Sequence, residues 1–358
     1  MKVMTPHYYK DFRCIAGACT DTCCAGWDVD VDKDSYKYYK TVKGAFGKRL
    51  KSVMVPSQDG ECTFTLQEGG RCPFLNDDNL CDLYIELGED KLCETCAEFP
   101  RFINDYGNIR EIGIAPSCKT AGELMFSYKD ELTFDTVEDN SLTLEPNDID
   151  AYTYMHLRQA RIVAFGIISD RDISIFERLM LYLDYAKRIQ KHLDAEKDEL
   201  IAGVAKRFCG ADYREELLDK LKSRDEKLHG KRLIKGLRHF FDDFKGMEVI
   251  NPDWNIHVAR VRQFLDGLAD DSGLAAVMKT YHAGSEAFAH EYEQLAMYYV
   301  YRYMLDAVND YDILLKAKNA VIGILAVDIM AAANQASGCM PDFTMRVDIA
   351  HLYLSLIH

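Results

Sequence analysis

Basic residues are in short supply. Against 58 aspartates and glutamates the 358-residue chain sets 43 lysines and arginines, for a formal net charge of −15. A field of that sign repels nucleic acid and anionic lipid, so neither is expected as a partner, and a basic one is favoured. Long apolar runs are missing as well. The longest, Ala320 to Ala333, has 14 residues and carries Asp328, whereas a membrane-spanning helix needs about 20. It reads as a buried core helix, and no membrane association is expected. Met1 to Phe12 lacks the apolar stretch of a secretory signal. Imidazole is scarce at one end: His7 is the sole histidine of the first 150 residues, and nine follow. What remains, 48% hydrophobic and 28% charged residues, is the composition of a folded chain with room for two domains. A cytoplasmic location is expected.

Cysteine is present where histidine is not. Of 12 cysteines, ten fall between Cys14 and Cys118, and only Cys209 and Cys339 lie beyond. A secreted disulfide framework would come with a signal and usually a short chain, so clustered thiols here point to metal. The spacing runs C-x4-C-x3-C-C (Cys14, Cys19, Cys23, Cys24), then Cys62, Cys72 and Cys81, then C-x2-C (Cys93, Cys96), then Cys118. With so little imidazole nearby any site is mostly thiolate, which suits zinc held by four cysteines or an iron–sulfur cluster and argues against a catalytic zinc hydrolase. The side chains of adjacent Cys23 and Cys24 point apart, as for a larger cluster or two different sites.

Two signatures are absent. The C-x3-C-x2-C motif that opens S-adenosylmethionine by radical chemistry fails twice: after Cys19 and Cys23 its third position is Gly26, and before Cys93 and Cys96 its first is Glu89. No G-x-G-x-x-G follows a predicted strand, so a dinucleotide site is unsupported.

Three stretches differ in pattern. Residues 1–125 form a cysteine-rich, loop-rich module with short strands predicted at Trp27 to Val31, Glu61 to Leu66 and Asn108 to Ile114. Helices are predicted after a cap at Asp32 or Asp34 and from Cys81 to Leu87, ending at Gly88. Modules of this kind often need a metal to fold. Residues 126–150 carry eight acids and only Lys129, and two alternating runs, Leu132 to Phe134 and Leu142 to Leu144, suit a solvated hairpin or connector. Residues 151–358 are helical throughout. Phe176, Leu179, Met180, Leu183 and Ala186 share one helix face, as do Phe288, Tyr292, Leu295, Tyr299 and Tyr303. Gly210, Gly230, Gly273 and Gly284 are placed at helix ends. The expected fold is mainly α (α+β): an N-terminal cysteine-rich metal-binding module followed by a C-terminal helical bundle.

The first third also carries an ordered set of motifs: Cys23-Cys24-Ala25-Gly26-Trp27, Arg71-Cys72-Pro73-Phe74-Leu75, Leu80-Cys81-Asp82-Leu83-Tyr84, Cys96-Ala97-Glu98-Phe99-Pro100-Arg101 and Ala115-Pro116-Ser117-Cys118. The set resembles the CxxCxxCC zinc- or iron-chelating domain, and within it the flagellin lysine-N-methylase (FliB-type) branch. The resemblance implies a protein lysine N-methyltransferase that moves methyl from S-adenosylmethionine to lysines of flagellin. It implies an iron–sulfur (4Fe–4S) cluster, with zinc as the alternative, on Cys14, Cys19, Cys23, Cys24, Cys72, Cys81, Cys96 and Cys118. Cys62 and Cys93 fall outside that set and read as small buried hydrophobes. Without the radical motif, the expected chemistry is direct attack of a neutral lysine amine on the methyl sulfonium, at the interface of the two parts.

Several residues have plainer readings. The tyrosines 292, 298, 299, 301 and 303 could cage a lysine by cation–π contact, but their spacing favours packing. Trp27 either shields a cluster or anchors a small core. His282 and His290 lack a third ligand and read as solvated or core histidines. Glu111 and Asp105 are candidate bases that nothing singles out. Two other functions stay open: a non-catalytic zinc- or iron-binding module docking a basic partner, and a thiol-based redox or metal-handling protein.

Overall fold

The computed structural model describes residues 1–56, 62–142, 148–228, 232–244, 247, 249–338 and 340–356. The fold is mainly α with two small sheets. The strands are β1 (Lys2–Pro6), β2 (Asp30–Val31), β3 (Met54–Pro56), β4 (Cys62–Phe64), β5 (Arg101–Tyr106), β6 (Ile109–Ile114) and β7 (Phe134–Glu138). The first five helices are α1 (Lys33–Thr41), α2 (Gly44–Val53), α3 (Asp82–Leu87), α4 (Glu94–Glu98) and α5 (Lys119–Ser127). Then come α6 (Ala151–Ile168), α7 (Ile175–Leu193), α8 (Ile201–Phe208), α9 (Ala211–Leu228), α10 (Arg232–Asp243) and α11 (Asp253–Asp266). The last are α12 (Asp271–Ser285), α13 (Ala289–Tyr303), α14 (Ala307–Asp310), α15 (Ile313–Ala336) and α16 (Phe343–Leu356).

One sheet has the order β5-β6-β1-β7, in which β1 runs parallel to β6 and antiparallel to β7. Its edge strand β7 lies within the acidic stretch, and Asp135 to Glu138 are exposed there. The strand therefore pairs through its backbone while its charges stay in water. The second sheet, β2-β4-β3, is antiparallel.

Two apolar clusters result. The small one contains Val29, Val31, Tyr39, Leu50, Cys62, Phe64, Cys72, Phe74, Leu75, Leu83 and Cys93. The large one joins the helical region to the first sheet, since Tyr8, Phe102, Tyr106 and Ile114 pack with residues of α6, α7, α13 and α15. Helix α13 makes that joint: the Tyr301 hydroxyl donates to the carbonyl of Met4 on β1 at 2.7 Å. Helix α6 adds a buried ion pair, Arg161 with Glu111 of β6. The innermost helix, α15, contains the long apolar run and starts at Asp312, whose carboxylate accepts from the Leu315 N–H at 2.8 Å.

Several local expectations shift. Only Asp30 and Val31 of the Trp27 to Val31 run pair as a strand, and Cys81 caps α3 from outside it. Glu61 lies outside the described residues, and the strand there is β4. Leu142 is in no strand, and Leu144 lies outside the described residues, as do Gly230 and Cys339. Gly210 separates α8 from α9, but Gly273 and Gly284 sit inside α12. The cause is Asp270, whose carboxylate caps α12 by accepting from the N–H groups of Ser272 and Gly273, so Gly273 falls in the first turn. Of the predicted α7 face, Leu179 and Ala186 are buried while Phe176, Met180 and Leu183 are half-buried; Arg178, Tyr182 and Tyr185 fill the inner side.

Candidate metal centre

Short backbone pairings bring distant cysteines together. The Cys72 N–H donates to the Cys24 carbonyl at 2.9 Å, and the Gly26 N–H donates to Gly70 at 3.0 Å. Gly26 has φ +93°, and a Cβ there would stand 2.7 Å from Ile250 Cγ2, so this crossing requires glycine. The next turn is held by Asn76, whose side-chain oxygen accepts from Asp78 and Leu80 at 3.0 and 2.9 Å. That turn returns the chain to pair Leu75 with Cys81. The start of α4, with Cys93 and Cys96, is placed by Asp32, which caps α1 and also accepts from the Glu94 N–H at 2.9 Å.

These contacts converge on a cavity of about 60 Å³ lined by Cys23, Cys24, Cys72, Cys81, Cys93 and Cys96. Val29, Phe64, Phe74, Leu83, Leu92 and Phe99 supply the apolar walls. Trp27 closes one side: its indole N–H donates to the Cys23 carbonyl at 2.7 Å, and its ring lies 5.7 Å from that of Phe99. Trp27 therefore lines the cavity and lies outside the small core.

The thiols share protons in pairs. Cys24 is pulled down to about 6, chiefly by the hydrogen bond from Cys23, whose own thiol is pushed up by the same bond. Cys93 is lowered by Cys96, and Cys96 is raised in return. Burial pushes Cys72 up to about 11 and raises Cys81. Ionising all six in so small an apolar space requires positive charge, and a soft metal ion supplies it. Among the described residues, no three His, Cys, Asp or Glu side chains stand in metal-holding geometry. The fit therefore rests on the donor set, six thiols on one cavity wall, which suits an iron–sulfur cluster or thiolate zinc.

Of the eight cysteines assigned from sequence, Cys23, Cys24, Cys72, Cys81 and Cys96 line this cavity, and Cys14, Cys19 and Cys118 do not. Cys93 was read as a core residue. It is fully buried in the small core, and it lines the cavity too. Its C-x2-C spacing to Cys96 was the available signal. Cys62 is buried in the core alone.

The other candidates are engaged elsewhere. Glu111 is buried against Arg161, and Asp105 binds Arg110 at 2.6 and 2.7 Å, so neither carboxylate is free to take a proton. His282 bonds buried Asp328 at 3.0 Å and stacks on Phe176, and His290 bonds the Phe126 carbonyl at 2.9 Å. Tyr292, Tyr298, Tyr299 and Tyr301 are buried, and Tyr303 is half-buried. They pack in the large core and do not form a surface cage.

Comparison with known proteins locates a match in the helical part. The family described as FliB lysine N-methylase C-terminal domain matches residues 161–357, more than half of the chain. A flagellar biosynthetic protein FliU of Salmonella muenchen is 31% identical over 122 residues, 32% of this chain and 72% of that protein. A lysine-N-methylase of Salmonella choleraesuis and another of Salmonella typhimurium are each 30% identical over 122 residues, covering 32% of this chain and 30% of their own lengths. No solved structure matches the chain. No helix among the described residues is long and apolar enough to cross a membrane.

Proposed function

Because the chain belongs to the FliB lysine N-methylase family, we propose that it is a protein lysine N-methyltransferase, using S-adenosylmethionine as donor and flagellin as acceptor in the cytoplasm. The observation that carries this reading is the family match over residues 161–357. The names of the relatives, lysine-N-methylase and flagellar biosynthetic protein, support it. The cavity lined by Cys23, Cys24, Cys72, Cys81, Cys93 and Cys96 supports a metal centre held by thiolates drawn from these six. An iron–sulfur cluster bound there would supply electron-transfer or Lewis-acid chemistry.

The chain's own task is to prepare an amine. A free lysine titrates near ~10.4, so at neutral pH its proton must be removed or its charge made costly by desolvation. The nitrogen then attacks the methyl carbon, the carbon–sulfur bond breaks, and S-adenosylhomocysteine leaves with the sulfur lone pair. A site deep in the large core would desolvate the amine, but it would have to open. The junction between thiol-rich and helical parts is the more accessible choice.

The test is co-expression with flagellin, followed by mass spectrometry of its lysine-containing peptides, beside saturable binding of S-adenosylmethionine to the purified chain. Methyl-lysine dependent on this chain is expected. Stoichiometric 5′-deoxyadenosine during turnover would replace direct transfer with radical chemistry. If neither methyl-lysine nor donor binding is seen on metal-loaded protein, a non-catalytic metal-binding module is the better reading.

A further inference from the structure

Five acidic side chains are buried among the described residues, Glu111, Asp198, Glu291, Glu293 and Asp328. The three glutamates each meet an arginine, and Asp198 accepts from Thr153 at 2.5 Å. Those partners keep their protons at neutral pH. Asp328 instead meets a histidine, the side chain type that exchanges its proton there. His282 Nε2 lies 3.0 and 3.2 Å from the two Asp328 oxygens, and the Tyr292 hydroxyl hydrogen-bonds the same carboxylate.

Burial divides this pair in a way that suits proton transfer. Asp328 belongs to the apolar run of α15, and its side chain is 2% exposed. An aliphatic residue there would pack without the cost of desolvating a carboxylate, so packing does not account for it. The His282 side chain is 35% exposed, and one face of its ring stacks on Phe176 of α7 with 4.4 Å between centroids. A carboxylate only accepts, so Nε2 carries the hydrogen and Nδ1 keeps its lone pair. Among the described residues Nδ1 has no hydrogen-bond partner, and it is not sealed from water. The other histidine–aspartate pairs lack this arrangement. His351, bonded to Asp21, is 6% exposed with its Nδ1 sealed, and His7 and Asp135 both stand open to solvent.

We propose that His282 is the catalytic base of the methyl transfer and that Asp328 is its positioning residue. The inference deepens the methyltransferase reading above and rests on it. Tyr292 ties the pair to the junction of the two parts: together with Phe126 of α5, the helix that follows Cys118, it lines a cavity of about 10 Å³. Nδ1 takes a proton from the ε-ammonium of the acceptor lysine, and the Asp328 charge stabilises the imidazolium that forms. The neutral nitrogen attacks the methyl carbon of S-adenosylmethionine, the carbon–sulfur bond breaks, and the electron pair leaves on sulfur. His282 then releases its proton to water. The charged and titratable groups around the pair are Tyr281 beside it, Tyr292 and Glu291 of α13 and Arg346 of α16. From α7 it meets the uncharged Phe176 ring.

The experiment is methyl transfer from S-adenosylmethionine to purified flagellin by the whole, metal-loaded chain, followed across pH by mass spectrometry. His282→Gln keeps a donor to Asp328 but supplies no base, and should lower kcat by about 10²-fold or more with KM little changed. Its rate should also lose the fall in acid that protonation of His282 gives the wild type. His282→Ala should recover activity in added imidazole, which a structural histidine would not allow. Asp328→Asn should lower kcat as well, and thermal melts report whether each variant folds. A wild-type kcat in folded His282→Gln, or an unchanged pH profile, overturns the inference and leaves the methyltransferase reading standing. Folded His282→Ala that imidazole does not restore also overturns it. A wild-type chain that transfers no methyl removes the methyltransferase reading itself along with this inference.

Discussion

Among the described residues, eleven buried side chains form the small core between Val29 and Cys93, and three of them, Cys62, Cys72 and Cys93, are cysteines. The other core runs without interruption from Tyr8 of the first sheet's neighbourhood to Leu354 of α16 and is made of aliphatic and aromatic side chains. The first is too small to order its many loops by burial alone, since a core of that size offsets little of the chain entropy it must overcome. It relies on turns and caps and, on the reading proposed above, on a metal held by its thiols. The second has burial to spare and can hold buried ion pairs, Arg161 with Glu111 and Arg178 with Glu293, inside it. The contrast suggests two means of order in one chain: the proposed metal where apolar area is short, and packing where it is ample.

The sharpest way to break that contrast is to remove metal. Strong chelation of the reduced protein is expected to speed amide exchange between Val29 and Cys93 by about 10³-fold or more, as in small domains whose binding energy is folding energy. Helices α13 and α15 should keep their protection. Simultaneous loss in both regions would show one cooperative unit.

The next effect lies in the large core. Arg161→Met leaves Glu111 charged, buried and unpaired, and should cost about 3–5 kcal/mol in denaturant melts. Adding Glu111→Leu should restore most of it. If the double variant is no better than the single, the ion pair contributes more than charge compensation.

Packing in the same core gives a smaller effect. Helix α15 passes α13 at Gly323, where a Cβ would stand 2.3 Å from the Tyr299 hydroxyl. Gly323→Ala should cost about 1–3 kcal/mol by overpacking, and Tyr299→Phe in that background should recover part of the loss. A neutral Gly323→Ala would mean that the core yields more readily than proposed.

The smallest effect is at a helix end and depends on pH. Ser174 and Glu177 form a reciprocal cap on α7. Burial raises the Glu177 pKa, but hydrogen bonds from Lys222 and Ser174 outweigh it and leave the group below its ordinary value. A carboxylate depressed in the folded state contributes stability above its unfolded pKa, near ~4.3, and loses it as pH falls through the folded value. Glu177→Gln should therefore cost about 1 kcal/mol at pH 7, with the gap to wild type closing in acid. A constant gap down to pH 3 would assign the effect to geometry.

How much of this was legible in advance varies with the range of the contacts involved. The α1 cap, narrowed to Asp32 or Asp34, the stop of α3 at Gly88, the inner helix around Ala320 to Ala333 and the packing role of the α13 tyrosines depend on neighbours a few residues away or on helical period. All four could be read from sequence. Strand β1 could not: its partners, β6 and β7, lie over a hundred residues along the chain, and Lys2 to Pro6 has no pattern of its own. The cavity was half legible. Motif spacing marked its cysteines as a set, but the set contained Cys14, Cys19 and Cys118, which lie elsewhere, and omitted Cys93, which lines it.

The sequence by itself determined the chemistry: a thiol-rich first third almost without imidazole, an acidic surface, and a helical remainder with one apolar inner helix. Those are properties of residue types and local period, and no neighbour in space can alter them. Only the tertiary structure decided the grouping. It placed six thiols around one cavity and left Cys14, Cys19 and Cys118 off it, gave Glu111 to Arg161 instead of to a substrate proton, and joined the first sheet to the helical core. Each of these depends on contacts between segments far apart in the chain, and those contacts arise only when both cores close.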